Sequence, residues 1–140
     1  MSEQDNLQIV KEAYAAFKRG DIPAILNTLS DDVVWFLPGQ TSLVPVAGER
    51  RGREEVGQFF AALDENQEVK EFEPQEFIAQ GEKVVVLGQY RWRVKSTGRE
   101  FSSDWVHVFT VRDGKVAGFK EYYDTDACAD AYRAASAQTA

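Results

Sequence analysis

The patterning of this chain predicts an α+β domain with helices packed on one face of a curved sheet. Two observations carry that reading. Up to Asn66, apolar residues recur mainly at helical spacing, broken by one short apolar run. After Asn66 the rhythm changes to alternation, and four strand-like runs follow one another with glycine-bearing turns between them, as in an antiparallel meander.

Leu7, Val10, Tyr14 and Phe17 recur at helical spacing with Lys11, Glu12 and Lys18 between them, and Gly20 ends that helix. Asp21 caps a second short helix, which tolerates Pro23 in its first turn and buries Ile22, Ile25, Leu26 and Leu29. "DDVVWFLPG" reads as a short apolar strand, and "QTSLVPVAGERRG" as a long irregular loop. A third helix, around Arg53 to Leu63, buries Val56, Phe59, Phe60 and Leu63. The strands run from Val69 to Ala79, Lys83 to Lys95, Glu100 to Val111 and Lys115 to Tyr123. Their turns fall in "QGE", "STGR" and "RDG", where glycine supplies the positive φ of a tight hairpin. Asp124 can cap a final short helix, and the tail "AYRAASAQTA" is expected to fray.

Turn lengths set an expected register. Lys95 opposite Glu100 places Tyr90 against Trp105 and Gly88 against His107; Val111 opposite Lys115 places His107 against Phe119 and Trp105 against Glu121. One face then collects Val84, Val86, Gly88, Tyr90, Trp92, Phe101, Trp105, His107, Phe109, Phe119, Glu121 and Tyr123. On it, His107 and Glu121 are diagonal neighbours, roughly 7–8 Å apart at the backbone. Gly88 either leaves a gap beside His107 or relaxes the sheet twist.

Composition narrows the function. At 140 residues and 44% hydrophobic content, one domain covering 1–140 can bury a core. A net charge of -7 excludes the concentrated basic surface of a nucleic-acid or anionic-membrane binder, and "GERRGREE", its arginines offset by glutamates, reads as a solvated loop edge. A single cysteine, Cys128, excludes an internal disulfide. One histidine with scattered carboxylates makes no metal cluster. "MSEQDNLQIV" lacks the basic start and apolar run of a signal peptide, and no stretch approaches a membrane span, so a cytoplasmic protein is expected.

The order of elements, with "YAAFKRGD", "DDVVW" and the closing "HVFTVRDGKVAGFKEYYDT", resembles the nuclear transport factor 2-like superfamily, its SnoaL-like and ketosteroid isomerase-like branch best. The resemblance spans essentially the whole chain. It implies a cone-shaped domain in which three N-terminal helices and a strongly curved, mostly antiparallel sheet enclose a hydrophobic pocket, commonly in a homodimer. It implies little about the reaction, because this fold serves many functions. Tyr14 matches the first-helix tyrosine that donates to the substrate oxyanion in ketosteroid isomerases, and His107 falls at or near their second donor. Their catalytic aspartate, just before a proline, is replaced by Leu37 ahead of Pro38. Glu121 corresponds to the last-strand carboxylate of limonene epoxide hydrolase-like members, but the arginine and aspartate they carry near Tyr90 and Trp92 are absent. SnoaL-like cyclases work with a pocket acid/base residue and neither metal nor cofactor, chemistry that a Glu121–His107 pair could supply.

The expected activity is that of an isomerase, cyclase or hydratase-like lyase without cofactor, acting on a small hydrophobic or polycyclic carbonyl compound. His107 and Glu121 would move the proton and Tyr14 would stabilise charge on the substrate oxygen. Trp35, Leu37, Phe60, Tyr90, Trp92, Trp105, Phe109 and Phe119 would contact the ligand, since the aromatic residues concentrate on one concave face. Each also has a plain structural reading, His107 as a satisfied buried imidazole and Tyr14 as helix core. A non-catalytic small-molecule binder and a dimerisation or assembly domain are the alternatives. A second copy is expected against the outer sheet face, at Gln89, Arg91, Val106, Val108 and Tyr122.

Overall fold

Ser2 opens the chain's first helix with a reciprocal cap. Its Oγ accepts from the Asp5 N–H at 3.0 Å, and the Asp5 carboxylate accepts from the Ser2 N–H at 3.1 Å. The computed structural model describes residues 2–139, with side chains through Arg133. Helix α1 (Glu3–Lys18) ends before Gly20, whose φ of +72° suits only glycine comfortably. Asp21 caps α2 (Ile22–Asn27) by accepting from the Ala24 N–H at 3.2 Å. Strand β1 (Leu29–Leu37) takes in Leu29, which the sequence assigned to the helix face. Then come β2 (Gly48–Arg51), α3 (Gly52–Asn66), β3 (Gln67–Gln80), β4 (Lys83–Val94), β5 (Glu100–Arg112), β6 (Lys115–Tyr122) and α4 (Thr125–Thr139). Asp124 caps α4, accepting from the Ala127 N–H at 3.0 Å. The expected fraying falls on residues whose side chains lie outside the described ones.

The six strands form one sheet in the order β2-β1-β6-β5-β4-β3. All neighbours are antiparallel except β1 and β6, so the sheet is mixed. Strand β2 corrects the expected irregular loop: "GERR" pairs with β1, placing Arg50 opposite Trp35. Arg50 is no solvated loop residue either. Its guanidinium donates to the carbonyls of Pro45 and Val46 at 3.0 Å each and lies over the Phe59 ring.

The inward face matches the alternation in the sequence, but the register does not. Val86, not Gly88, stands opposite His107, and Trp105 stands opposite Gly88. On the other side His107 pairs with Glu121 and Phe109 with Phe119. Both registers differ from expectation by two residues, which preserves the face of every side chain. At the β5–β6 turn the two-residue shift has two parts. The loop is the two residues Asp113 and Gly114, both at positive φ, rather than three. A bulge between Thr110 and Val111 adds the second step.

Gly88 serves a different neighbour from the one expected. A Cβ there would lie 2.7 Å from Trp105 Cε2 and 2.5 Å from the Glu73 carbonyl oxygen. The missing side chain seats the Trp105 indole against the sheet and makes no gap beside His107.

Candidate acid/base site in an aromatic cavity

Strict alternation along β5 turns Phe101, Trp105, His107, Phe109 and Val111 inward. The helical stripe of α1 lays Tyr14 over the same patch. His107 and Glu121 are 5% and 8% exposed, so both polar groups must find partners inside the protein. They do. The Tyr14 hydroxyl lies 2.6 Å from His107 Nδ1, and His107 Nε2 lies 2.7 Å from Glu121 Oε1. Tyr90, on β4, donates its hydroxyl to Glu121 Oε2 at 2.8 Å. Four side chains from α1, β4, β5 and β6 thus form one hydrogen-bonded chain.

Packing fixes the imidazole. Trp105 stacks on it with ring centroids 4.0 Å apart, and Phe119 meets it edge-on at 4.7 Å. Burial, with the nearby Glu121 charge, raises the Tyr14 and Tyr90 phenols well above their ordinary range, Tyr90 also through its bond to Glu121. Both stay protonated near neutrality, and Tyr90 donates to Glu121.

The chain borders a cavity of about 90 Å³ that is overwhelmingly apolar. Tyr14, His107 and Glu121 all line it, as do Trp35, Leu37, Phe60, Tyr90, Trp92, Phe109 and Phe119. Trp105 does not. It stands behind His107 as a stacking support, which corrects its expected ligand contact. Tyr123, which the alternation put on this face, also lines the wall, and sequence reasoning missed Phe17, Phe72, Gln67 and Cys128 there. The stripe of Cys128, Ala131 and Tyr132 on the last helix was the available signal for Cys128. That thiol is pushed up to about 12 by burial, so it is a neutral wall group rather than a nucleophile. Tyr90 was expected as a ligand contact, yet its hydroxyl is committed to Glu121. Among the described residues no cluster of ligating side chains could hold a metal ion.

Residues 10–119 match the family described as the SnoaL-like domain. The chain belongs to the SnoaL-like family. An NTF2-like protein from Burkholderia xenovorans LB400 is 44% identical to this SnoaL-like chain, with a TM-score of 0.86 over 94% of it and 98% of the other. TerC, crystallised with polyporic acid, is 28% identical with a TM-score of 0.79, over 92% of this chain and 98% of TerC. An uncharacterized protein of Mycobacterium tuberculosis (strain ATCC 25618 / H37Rv) is 28% identical over 136 residues, 94% of this SnoaL-like chain and 98% of its own. Among the described residues no helix is long and apolar enough to cross a membrane.

Proposed function

We propose that this domain is an acid/base enzyme that needs no cofactor, an isomerase, cyclase or hydratase-like lyase for small, mostly apolar carbonyl compounds. The observation that carries this reading is the hydrogen-bonded chain from Glu121 through His107 to Tyr14 at the wall of an apolar cavity. Such a chain exchanges a proton with a ligand oxygen, and Glu121 balances the charge that His107 acquires. Tyr14 is the group that meets charge developing on that oxygen, in surroundings dry enough to strengthen the contact. By the resemblance, Leu37 on the cavity wall stands where the isomerases carry their base, so proton transfer falls to the Glu121–His107–Tyr14 chain.

Ligand size follows from the cavity. About 90 Å³ is well below the roughly 300–1,000 Å³ that buries a drug-sized molecule. A ligand on the scale of one small ring fits with limited rearrangement, and a polycyclic guest needs the aromatic walls to part. The relative TerC was crystallised with polyporic acid, which supports a small-molecule ligand here.

The test is deuterium incorporation from heavy water at the α-carbon of small aryl ketones and β-dicarbonyls, followed by NMR. Acceleration over buffer is expected, falling by about 10²–10⁴ in His107→Gln and Tyr14→Phe. Saturable binding with no acceleration would support the non-catalytic binding protein instead.

The outer sheet face supports a homodimer in the same proposal. Val34, Phe36, Val108 and Tyr122 line a shallow groove there, and Tyr122 is 50% exposed.

A further inference from the structure

One hydrogen-bond donor on the cavity wall is left over once the chain from Tyr14 to Tyr90 is complete. Trp35, on β1, is 5% exposed, and its indole Nε1 is buried with no hydrogen-bond partner in the protein. Buried polar groups are ordinarily paired, so an unpaired one calls for a reason. Asn6 Oδ1 and Trp105 Nε1 are also unpaired, but neither residue borders the cavity, and Trp35 does. Elsewhere on the wall, the four groups of the chain are bonded to one another, Gln67 donates to the Tyr132 hydroxyl at 2.9 Å, and Tyr123 donates to the Pro38 carbonyl at 2.9 Å.

An indole nitrogen donates and never accepts, so its role is the same whatever the protonation of His107 and Glu121. Its surroundings are apolar. Phe119 stacks on the indole with centroids 3.9 Å apart, and Phe59 and Phe60 flank it at 5.7 and 5.6 Å. These three rings offer a water no second partner, whereas a buried water ordinarily holds about three. Phe119 also meets the His107 ring, at 4.7 Å. The indole and the imidazole therefore border one phenyl ring, and a ligand of one small ring can reach both. Among the described residues no lysine or arginine lines the cavity, so an anionic group at Trp35 would be uncompensated. An ammonium there would set one donor against another.

We propose that Trp35 Nε1–H is a second anchoring point of the site, which takes a neutral aryl ketone carrying a further acceptor oxygen, as an ether, ester or second ketone. This rests on the reading of the cavity given above and specifies its substrate. The reacting ketone lies at Tyr14 and His107, and the further oxygen accepts from Trp35. Trp35 takes no part in proton transfer. It sets which end of the ligand faces His107 and favours ligands that can accept its proton over isosteres that cannot.

Para-methoxyacetophenone and para-ethylacetophenone, with their meta isomers, test this, because each pair differs in one acceptor oxygen and none of the four ionises. In at least one series the methoxy ketone is expected to bind about tenfold more tightly than the ethyl ketone, about what one hydrogen bond contributes. In Trp35→Phe, checked for native circular dichroism, that ratio should fall to about one. The Trp35 indole N–H resonance, assigned among the three tryptophans by through-bond NMR, should move downfield with the methoxy ketone and not with the ethyl ketone. That measurement reads the bond in the unaltered protein, so it decides the matter even where Trp35→Phe fails to fold. Equal affinities in both series, a ratio that survives in Trp35→Phe, an indole resonance that answers both ketones alike, or no saturable binding of any of the four would each overturn the assignment. Selective binding of the methoxy ketone without deuterium exchange keeps this ligand class and removes the enzymatic reading. Exchange into both ketones without discrimination does the reverse.

Discussion

Glu121 Oε1 sits 2.7 Å from His107 Nε2 across a directly opposed pair of residues on β5 and β6. The remaining Glu121 oxygen accepts from the Tyr90 hydroxyl at 2.8 Å. Removing one partner from such a buried pair leaves the other without compensation.

His107→Leu is therefore expected to cost about 3–5 kcal/mol of stability, because the Glu121 charge keeps only Tyr90. His107→Gln, which retains a donor, should cost about 1–2 kcal/mol. The double variant His107→Leu/Glu121→Leu should be more stable than His107→Leu alone, since no charge remains to be desolvated. Urea denaturation of the unaltered protein, His107→Leu, His107→Gln, Glu121→Leu and the double variant measures this. A double variant whose loss equals the sum of the two single losses would mean the pair is uncoupled.

Alkaline pH should unfold the protein. Burial raises the Tyr14, Tyr90 and Tyr123 phenols above their ordinary 10.0 and pushes the Cys128 thiol from 9.0 to about 12. The folded chain then holds protons that the unfolded chain releases. Stability from these groups is complete below about pH 9 and is lost as pH rises toward the folded values, by about 1.4 kcal/mol per pH unit for each group titrating. Phenolate absorbance should rise together with the loss of circular dichroism. Complete tyrosine ionisation with the native spectrum intact would refute this.

The outer sheet face should pair two chains. Light scattering at micromolar protein is expected to give the mass of a dimer, and Val108→Glu the mass of a monomer with an unchanged fold, because Val108 lies on the outer groove and outside the cavity wall. A monomeric unaltered protein would refute the proposal.

Legibility differed from residue to residue. His107, Glu121 and Tyr14 were identifiable because alternation and helical spacing assign each side chain a face, and a polar group on an apolar face stands out. The role of Tyr90 was hidden, since a tyrosine among aromatics reads as wall until the position of its hydroxyl is known. Strand β2 was hidden because four residues rich in charge carry no apolar alternation, and only pairing with β1 makes them a strand. Trp105 read as a ligand contact because an inward face does not distinguish the cavity wall from the layer behind it.

By itself, the sequence determined the order of the helices and of every strand but β2, and the face on which their side chains fall, since both follow from periods of 3.6 and 2 that are local to each element. Tertiary structure alone decided the register. The Asp113–Gly114 turn and the bulge at Thr110/Val111 each shift β6 by one residue, and together they bring Glu121 from diagonal to directly opposite His107. A two-residue slip leaves every face unchanged, so the hydrophobic pattern cannot detect it. Turn geometry and packing set it instead, with Trp105 seated on Gly88 and Phe109 against Phe119.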